Sequence, residues 1–323
     1  MSEFDIGVLG AGAWGTALAV LNAAAGKRVS LRPRDEEGAA RMSAARENPR
    51  LKGVALPANL TISGKLPDAE ILLVAVPMQH LRATLQRLPR GEAPLVLCCK
   101  GLESGTNLLP QEVAAALHPG RPAAVLTGPN FAGEIAAGLP AAAVLALADG
   151  ALRARLMQAL QTPTLRLYGS PDVLGAALGG AAKNVIAIAA GVVMGAQLGE
   201  NARAALITRG VAEIARLARA LGGKADTVSG LSGLGDLLLT CTGAGSRNYS
   251  LGVALGAGET LQEILAARDN VTEGVATAPA LLARAQAAGV EMPASQAVAK
   301  LLGGSVNVAE TVAALMGRAL KDE

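Results

Sequence analysis

Between Lys183 and Glu200 no residue carries a charge, and Ala, Val, Ile and Gly fill most of the stretch. Such a run falls slightly short of the roughly 20 apolar residues that a bilayer span needs. Its glycines, with Asn184 and Gln197, argue for a helix buried in protein rather than in lipid. A lysine at the edge of that helix is costly to desolvate, so it needs a partner or a lowered pKa. No membrane span is expected.

With 323 residues the chain is long enough for two domains with cores of their own. Half of it is hydrophobic but only 2% is aromatic, so the core must be Ala, Leu and Val, with glycines allowing elements to approach closely. The net charge is +3 without a long basic run, which does not indicate nucleic acid and suits a small anionic ligand or a solvated surface equally. Cys98, Cys99 and Cys241 lack metal-ligand spacing, and packing is the expected role; no metal is expected. MSEFDIGVLG lacks a basic n-region and a cleavage pattern, so a reduced, cytoplasmic protein is expected.

Residues 5–25 read as strand, Gly-rich turn and helix, with Gly10, Gly12 and Gly15 in the spacing G-x-G-x-x-G. The first glycine permits the tight turn, the second admits a pyrophosphate, and the third lets helix pack on strand. The helix N-terminus then offers free N–H groups and a positive dipole end to the phosphates. The second strand, about 28–31, runs into Arg32, Pro33 and Arg34, where an acidic residue would hold the ribose 2′-hydroxyl of NAD. Two arginines there favour a 2′-phosphate, hence NADP(H) over NAD(H).

Further apolar runs predict strands ending at Val76-Pro77, before Lys100, at 123–126, at 141–148 and at 164–168, with helices near 83–88, 107–117, 131–138 and 151–161. Alternating β and α calls for a Rossmann-like, doubly wound parallel sheet. Lys100 ends a strand, either pointing into the ligand crevice or snorkelling to the surface. Gly128-Pro-Asn130 makes a tight turn with an exposed amide. His80 follows a turn and reads as a catalytic acid or, more often for a lone loop histidine, as a surface residue.

After Ser170-Pro-Asp172 the periodicity becomes helical, and the boundary is placed there: 1–172 dinucleotide-binding, 173–323 an all-α, helical substrate domain. Helices are expected at 173–197, 201–221, 233–240, 246–256, 260–267, 276–288, 293–303 and 307–317. Gly230 to Asp236 is a Gly-rich approach to a carboxylate, which reads as a partner for the Lys183 ammonium, a substrate ligand, or a helix N-cap. Ser246, Arg247 and Asn248 at a helix start suit a phosphate dianion, or a plain Ser N-cap beside an exposed Arg. Glu273, after Asn270-Val-Thr, reads as a simple helix start.

Taken together, the chain resembles the bacterial-type NAD(P)-dependent glycerol-3-phosphate dehydrogenase family. The resemblance is carried by GAGAWGTALAV (10–20), CKGLE (99–103), TGPNFAGEIAAGLP (127–140), GGAAKNVIAIAAG (179–191), NARAALITRG (201–210), GLGDLLLTCT (233–242), SRN (246–248), TEG (272–274) and GRALKDE (317–323), in order and spacing. It implies reversible hydride transfer between NAD(P)H and dihydroxyacetone phosphate, giving sn-glycerol 3-phosphate for phospholipid synthesis in a cytosolic homodimer. It also implies that Lys183 is the acid/base lysine and that Lys100 touches cofactor and substrate. Gly128 and Asn130 would border the substrate, and Asp236, Ser246, Arg247 and Asn248 would hold it. Ala13, Trp14, Arg34, Ala132, Val271 and Glu273 would line the cofactor, with Arg247 shared. The chain departs from the family at Arg32, at VVMGAQLGEN (192–201) and at Tyr249-Ser250.

Overall fold

A computed structural model describes residues 2–243, 245–268 and 271–316. Ala244, Asn270 and the closing GRALKDE (317–323), with the expected last residue of the final helix, lie outside the described residues. The chain separates into two compact units. One holds the residues up to Lys100 together with Leu109–Ala177; the other holds Gly101–Leu108 and the chain from Leu178 onward. Within the second unit the Asn107 carbonyl accepts a hydrogen bond from Arg284 Nη1 at 3.1 Å.

The first unit is built from β1 (Phe4–Leu9), α1 (Ala13–Ala24), β2 (Val29–Arg32), α2 (Glu36–Ala45), β3 (Leu60–Ile62), β4 (Ala69–Val74), α3 (Met78–Gln86), β5 (Leu95–Leu97), α4 (Pro110–Leu117), β6 (Ala123–Thr127), α5 (Ala132–Ala136), β7 (Ala141–Ala146), α6 (Gly150–Leu160) and β8 (Leu165–Ser170). Among the described residues the strands form one sheet of order β3-β2-β1-β4-β5-β6-β7-β8. Crossing from β1 to both neighbours, with helices between, gives the doubly wound pattern. The pairs are parallel as far as β6, but β7 runs antiparallel to β6, Val125 facing Ala146 and Thr127 facing Val144. A wholly parallel sheet is therefore corrected at this edge. The five-residue α5 packs against α1, and the chain re-enters the sheet from the carboxyl end of β6 instead of crossing to its amino end. Ile6, Val8, Leu31, Leu73 and Val96 form the core with Leu18 of α1 and Leu156 of α6.

Two elements of this unit were not expected. Helix α2 buries only Ala39 and Met42, so its apolar stripe is faint; Asp35 caps it by accepting the Gly38 N–H at 2.7 Å. Strand β3 has three residues. His80 lies inside α3, which starts five residues before the expected helix because Pro77 serves as its N-cap; the side chain is exposed, as read.

The helices that follow are α7 (Val173–Gly195), α8 (Glu200–Ala220), α9 (Ala225–Ser229), α10 (Asp236–Thr242), α11 (Arg247–Gly256), α12 (Leu261–Ala266), α13 (Glu273–Ala287), α14 (Pro293–Leu302) and α15 (Val308–Met316). Helix α7 is long and apolar enough to cross a membrane by length and composition, yet 89% of its most apolar window is buried inside the fold. Within the second unit its backbone meets that of α11. A Cβ on Gly191 or Gly195 would strike the backbone of Tyr249 or Val253, and one on Gly252 or Gly256 that of Ile188 or Val192. Buried Glu213 of α8 ties in α14, accepting the Ala294 N–H at 2.7 Å and the Ser295 N–H at 3.3 Å. Burial raises its carboxyl above the usual range, against the pull of those hydrogen bonds.

Candidate active site

Two clusters gather the residues that the sequence marked, one in each unit. In the first, Gly10 sits at φ 104° and a Cβ on Gly15 would overlap the Gly10 carbonyl oxygen, so the turn closes only with both glycines. Gly12 caps α1 with no side-chain hydrogen bond, and nothing lies within 4 Å of where its Cβ would stand. The first-turn N–H groups of α1 thus open onto space that a phosphate can enter. Ala13 and Trp14 begin that helix, and Trp14 Nε1 is buried without a hydrogen-bond partner among the described residues. Ala132 opens α5.

In the same unit, Lys100 Nζ donates to the Gly128 carbonyl at 3.0 Å, at the carboxyl ends of β5 and β6. Asn130 Nδ2 donates to the Ala142 carbonyl at 3.1 Å, while its Oδ1 and Thr127 Oγ1 are buried without partners among the described residues. Buried polar atoms of that kind, at the carboxyl end of β6, fit a bound polar ligand. Of the two arginines marked at the end of β2, Arg32 is its last residue and is committed: its Nε donates to the Gly64 carbonyl at 2.8 Å. Arg34 is exposed, and Asp35 is occupied as the α2 cap.

In the second unit Lys183, 7% exposed, donates to Asp236 Oδ1, and Asp236 is 1% exposed. Asp236 is the first residue of α10 and not its N-cap, which is Gly235. The π-helical turn Leu231–Gly235 delivers it, and Gly179 of α7 leaves room for that turn: a Cβ there would come within 2.8 Å of the Ser232 carbonyl oxygen. Thr240, one helical turn beyond Asp236, accepts from Lys183 Nζ at 2.8 Å and donates to the Asp236 carbonyl at 2.6 Å. Thr240 escaped the sequence reading, although its i+4 spacing from Asp236 was visible. A buried ammonium held between a carboxylate and a hydroxyl can give a proton to a developing alkoxide and take it back. Burial pushes the neighbouring Cys241 thiol up to about 12, which leaves it a packing residue; Cys98 behaves alike.

Ser246 caps α11, accepting the Tyr249 N–H at 3.2 Å, and is buried; Arg247 is exposed. Asn248 faces inward. Its Nδ2 donates to Asn184 Oδ1 and its Oδ1 accepts the Gly274 N–H, both at 2.9 Å. One amide thereby joins α7, α11 and α13 next to Lys183. Glu273 opens α13, and Val271 is 42% exposed before it.

Family models for the two halves of one enzyme match the chain: NAD-dependent glycerol-3-phosphate dehydrogenase N-terminus over residues 5–152, and its C-terminus over 172–313. The chain belongs to the NAD-dependent glycerol-3-phosphate dehydrogenase family. It is 59% identical to the glycerol-3-phosphate dehydrogenase [NAD(P)+] of Acidiphilium cryptum, over 99% of this chain and 98% of that protein. A Gluconobacter oxydans protein of the same description is 53% identical over 97% of each chain. The crystal structure of glycerol-3-phosphate dehydrogenase from Coxiella burnetii superposes with a TM-score of 0.93 at 36% identity, covering 98% of this chain and 99% of that one. The dehydrogenase described here is accordingly an NAD(P)-dependent oxidoreductase with the two-part architecture of its family.

Proposed function

We propose that the enzyme reversibly reduces dihydroxyacetone phosphate to sn-glycerol 3-phosphate, with Lys183 as general acid and base. The observation that carries this reading is the buried Lys183–Asp236–Thr240 cluster, in a chain of this family. Gly10, Gly12 and Gly15 with the start of α1 would hold the pyrophosphate, and Ala13, Trp14, Ala132, Arg247, Val271 and Glu273 would complete the cofactor's surroundings. The bound reduced nicotinamide supplies the hydride.

The chain's own residues do the rest. Lys183 Nζ gives a proton to the substrate O2 as C2 gains hydride, and recovers it in the reverse direction. Asp236 holds the ammonium in line, and Thr240 fixes the other side of Nζ. Lys100 adds positive charge against the oxyanion. Ser246 and Arg247 take the phosphate at the start of α11, and its binding energy restrains the ketone. Gly128 and Asn130 border the substrate. Asn248 supports the site through Asn184 and the Gly274 N–H. Asp35 is committed to α2 and Arg34 is exposed, which supports NADP(H) as the favoured cofactor through a 2′-phosphate contact at Arg34. The family resemblance supports a cytoplasmic homodimer that feeds phospholipid synthesis.

The test is NADPH oxidation at 340 nm with dihydroxyacetone phosphate, beside the keto form of a hydroxy acid. Turnover of the phosphorylated ketone alone is expected. Lys183→Ala should bind cofactor and lose turnover by roughly 10²–10⁴ or more, the usual size of a general acid's contribution. Near-normal turnover in that variant refutes the assignment.

A further inference from the structure

We infer that Asn48 is a positioning residue for the cofactor: one side-chain amide clamps the Gly-rich loop to the first turn of α1. The inference rests on the proposed reading of that loop as the dinucleotide cradle. Asn48 lies in the segment between α2 and β3, 2% exposed, and no motif points to it. Its Nδ2 donates to the Ala11 carbonyl at 3.0 Å and to Thr16 Oγ1 at 2.6 Å. Its Oδ1 accepts the Arg50 N–H at 3.0 Å. These partners fix the orientation of the amide, because a backbone N–H can only donate and a carbonyl can only accept.

The Ala11 carbonyl and the Gly12 N–H belong to one planar trans peptide and point in opposite directions. Holding the Ala11 oxygen from behind therefore aims the Gly12 N–H at whatever occupies the open side. The second bond ties the same amide nitrogen to Thr16, which is fully buried in α1. The loop and the helix N-terminus, both needed for an anion, are thereby set in one geometry before the ligand arrives.

The clamp itself is firmly mounted. Arg46, at φ 50°, reaches the carbonyls of Leu56, Pro57 and Leu60 with its guanidinium, and Leu51 and Leu56 are buried in the sheet core. A segment without regular structure thus presents Asn48 from a fixed base. An aspartate at this position would still accept from Arg50, but it could not donate to Ala11 or Thr16.

The test titrates NADPH against the quenching of Trp14, the chain's single tryptophan. Asn48→Ala and Asn48→Asp should each raise Kd by roughly tenfold, about 1.4 kcal/mol. In steady state the change should fall on KM for NADPH far more than on kcat. In the cofactor-free protein the amides of residues 12–16 should exchange hydrogen faster than in wild type. Asn48→Asp retains the Arg50 acceptor and serves if the alanine variant folds poorly. Gly12→Ala is the control for the cradle, since φ −70° and the open space admit a Cβ without strain. If Gly12→Ala weakens binding while both Asn48 variants stay within about twofold of wild type, the clamp is overturned. If Gly12→Ala also binds normally, the cradle reading falls instead.

Discussion

The Lys183–Asp236 pair makes a quantitative prediction when it is taken apart one side at a time. Replace Asp236 with Leu, Lys183 with Met, and then both. The two side chains are 1% and 9% exposed, so neither charge can turn to bulk water once its counter-charge is gone. Removing one partner of such a pair costs roughly 3–5 kcal/mol, because the remaining charge stays desolvated. Replacing both by apolar residues of similar volume is close to neutral, within about 1 kcal/mol. Each single variant should therefore lose several degrees, at roughly 2–4 °C of Tm per kcal/mol for a unit of this size, while the double variant recovers most of the loss. Urea unfolding by circular dichroism measures the cycle, and NADPH oxidation runs beside it. The double variant should be stable and dead. Strictly additive losses, or single losses under about 1 kcal/mol, would show that the pair is not the desolvated contact described here.

Three further outcomes follow from other sites. Gly274→Ala places a Cβ 2.7 Å from Asn248 Oδ1 and 2.8 Å from the Asn184 carbonyl oxygen; it should cost roughly 1–3 kcal/mol in urea unfolding, and a neutral result would contradict the three-helix amide junction. Arg34→Ala should lower the NADPH-to-NADH ratio of kcat/KM by roughly tenfold, and an unchanged ratio removes Arg34 from cofactor discrimination. Burial lowers the Lys27 amine to about 8, although it donates to Asn22 Oδ1 at 2.8 Å and to the Gln161 carbonyl at 3.1 Å. The folded chain therefore binds fewer protons than the unfolded one between about pH 8 and 10.5, and this lysine's contribution to stability rises with pH across that window. Acylation at pH 8 read by peptide mass mapping should accordingly label Lys27 ahead of lysines at the ordinary value.

The parts of this architecture that local chemistry dictates were legible in the sequence. The glycine spacing at 10–15, the apolar runs of the strands and the uncharged stretch after Lys183 each signal through neighbours a few residues away. Asp236 was traceable because a Gly-rich approach has little use without something to approach. The direction of β7 was not legible, since a strand's pattern is the same read either way along the sheet. Helix α2 escaped because two buried residues in ten make a weak stripe. The Asn184–Asn248–Gly274 junction joins positions 64 and 26 residues apart, and polar residues at such separations leave no periodic trace. Asn48 was invisible for the same reason, sitting 37 residues from the carbonyl that it holds.

The bare backbone seam between α7 and α11 inverts a common engineering rule. Exchanging a helical glycine for alanine usually stabilises, by roughly 0.4–1 kcal/mol through the unfolded chain. At positions 191, 195, 252 and 256 the added methyl would collide with main chain that cannot step aside. Gly150, at the start of α6, has only the flexible tip of Arg153 nearby, at 3.6 Å, and is the place to spend such a change. A heat-tolerant version of this enzyme must leave the smallest residues of its central helix pair untouched, for there the missing atoms are what lets the two rods lock.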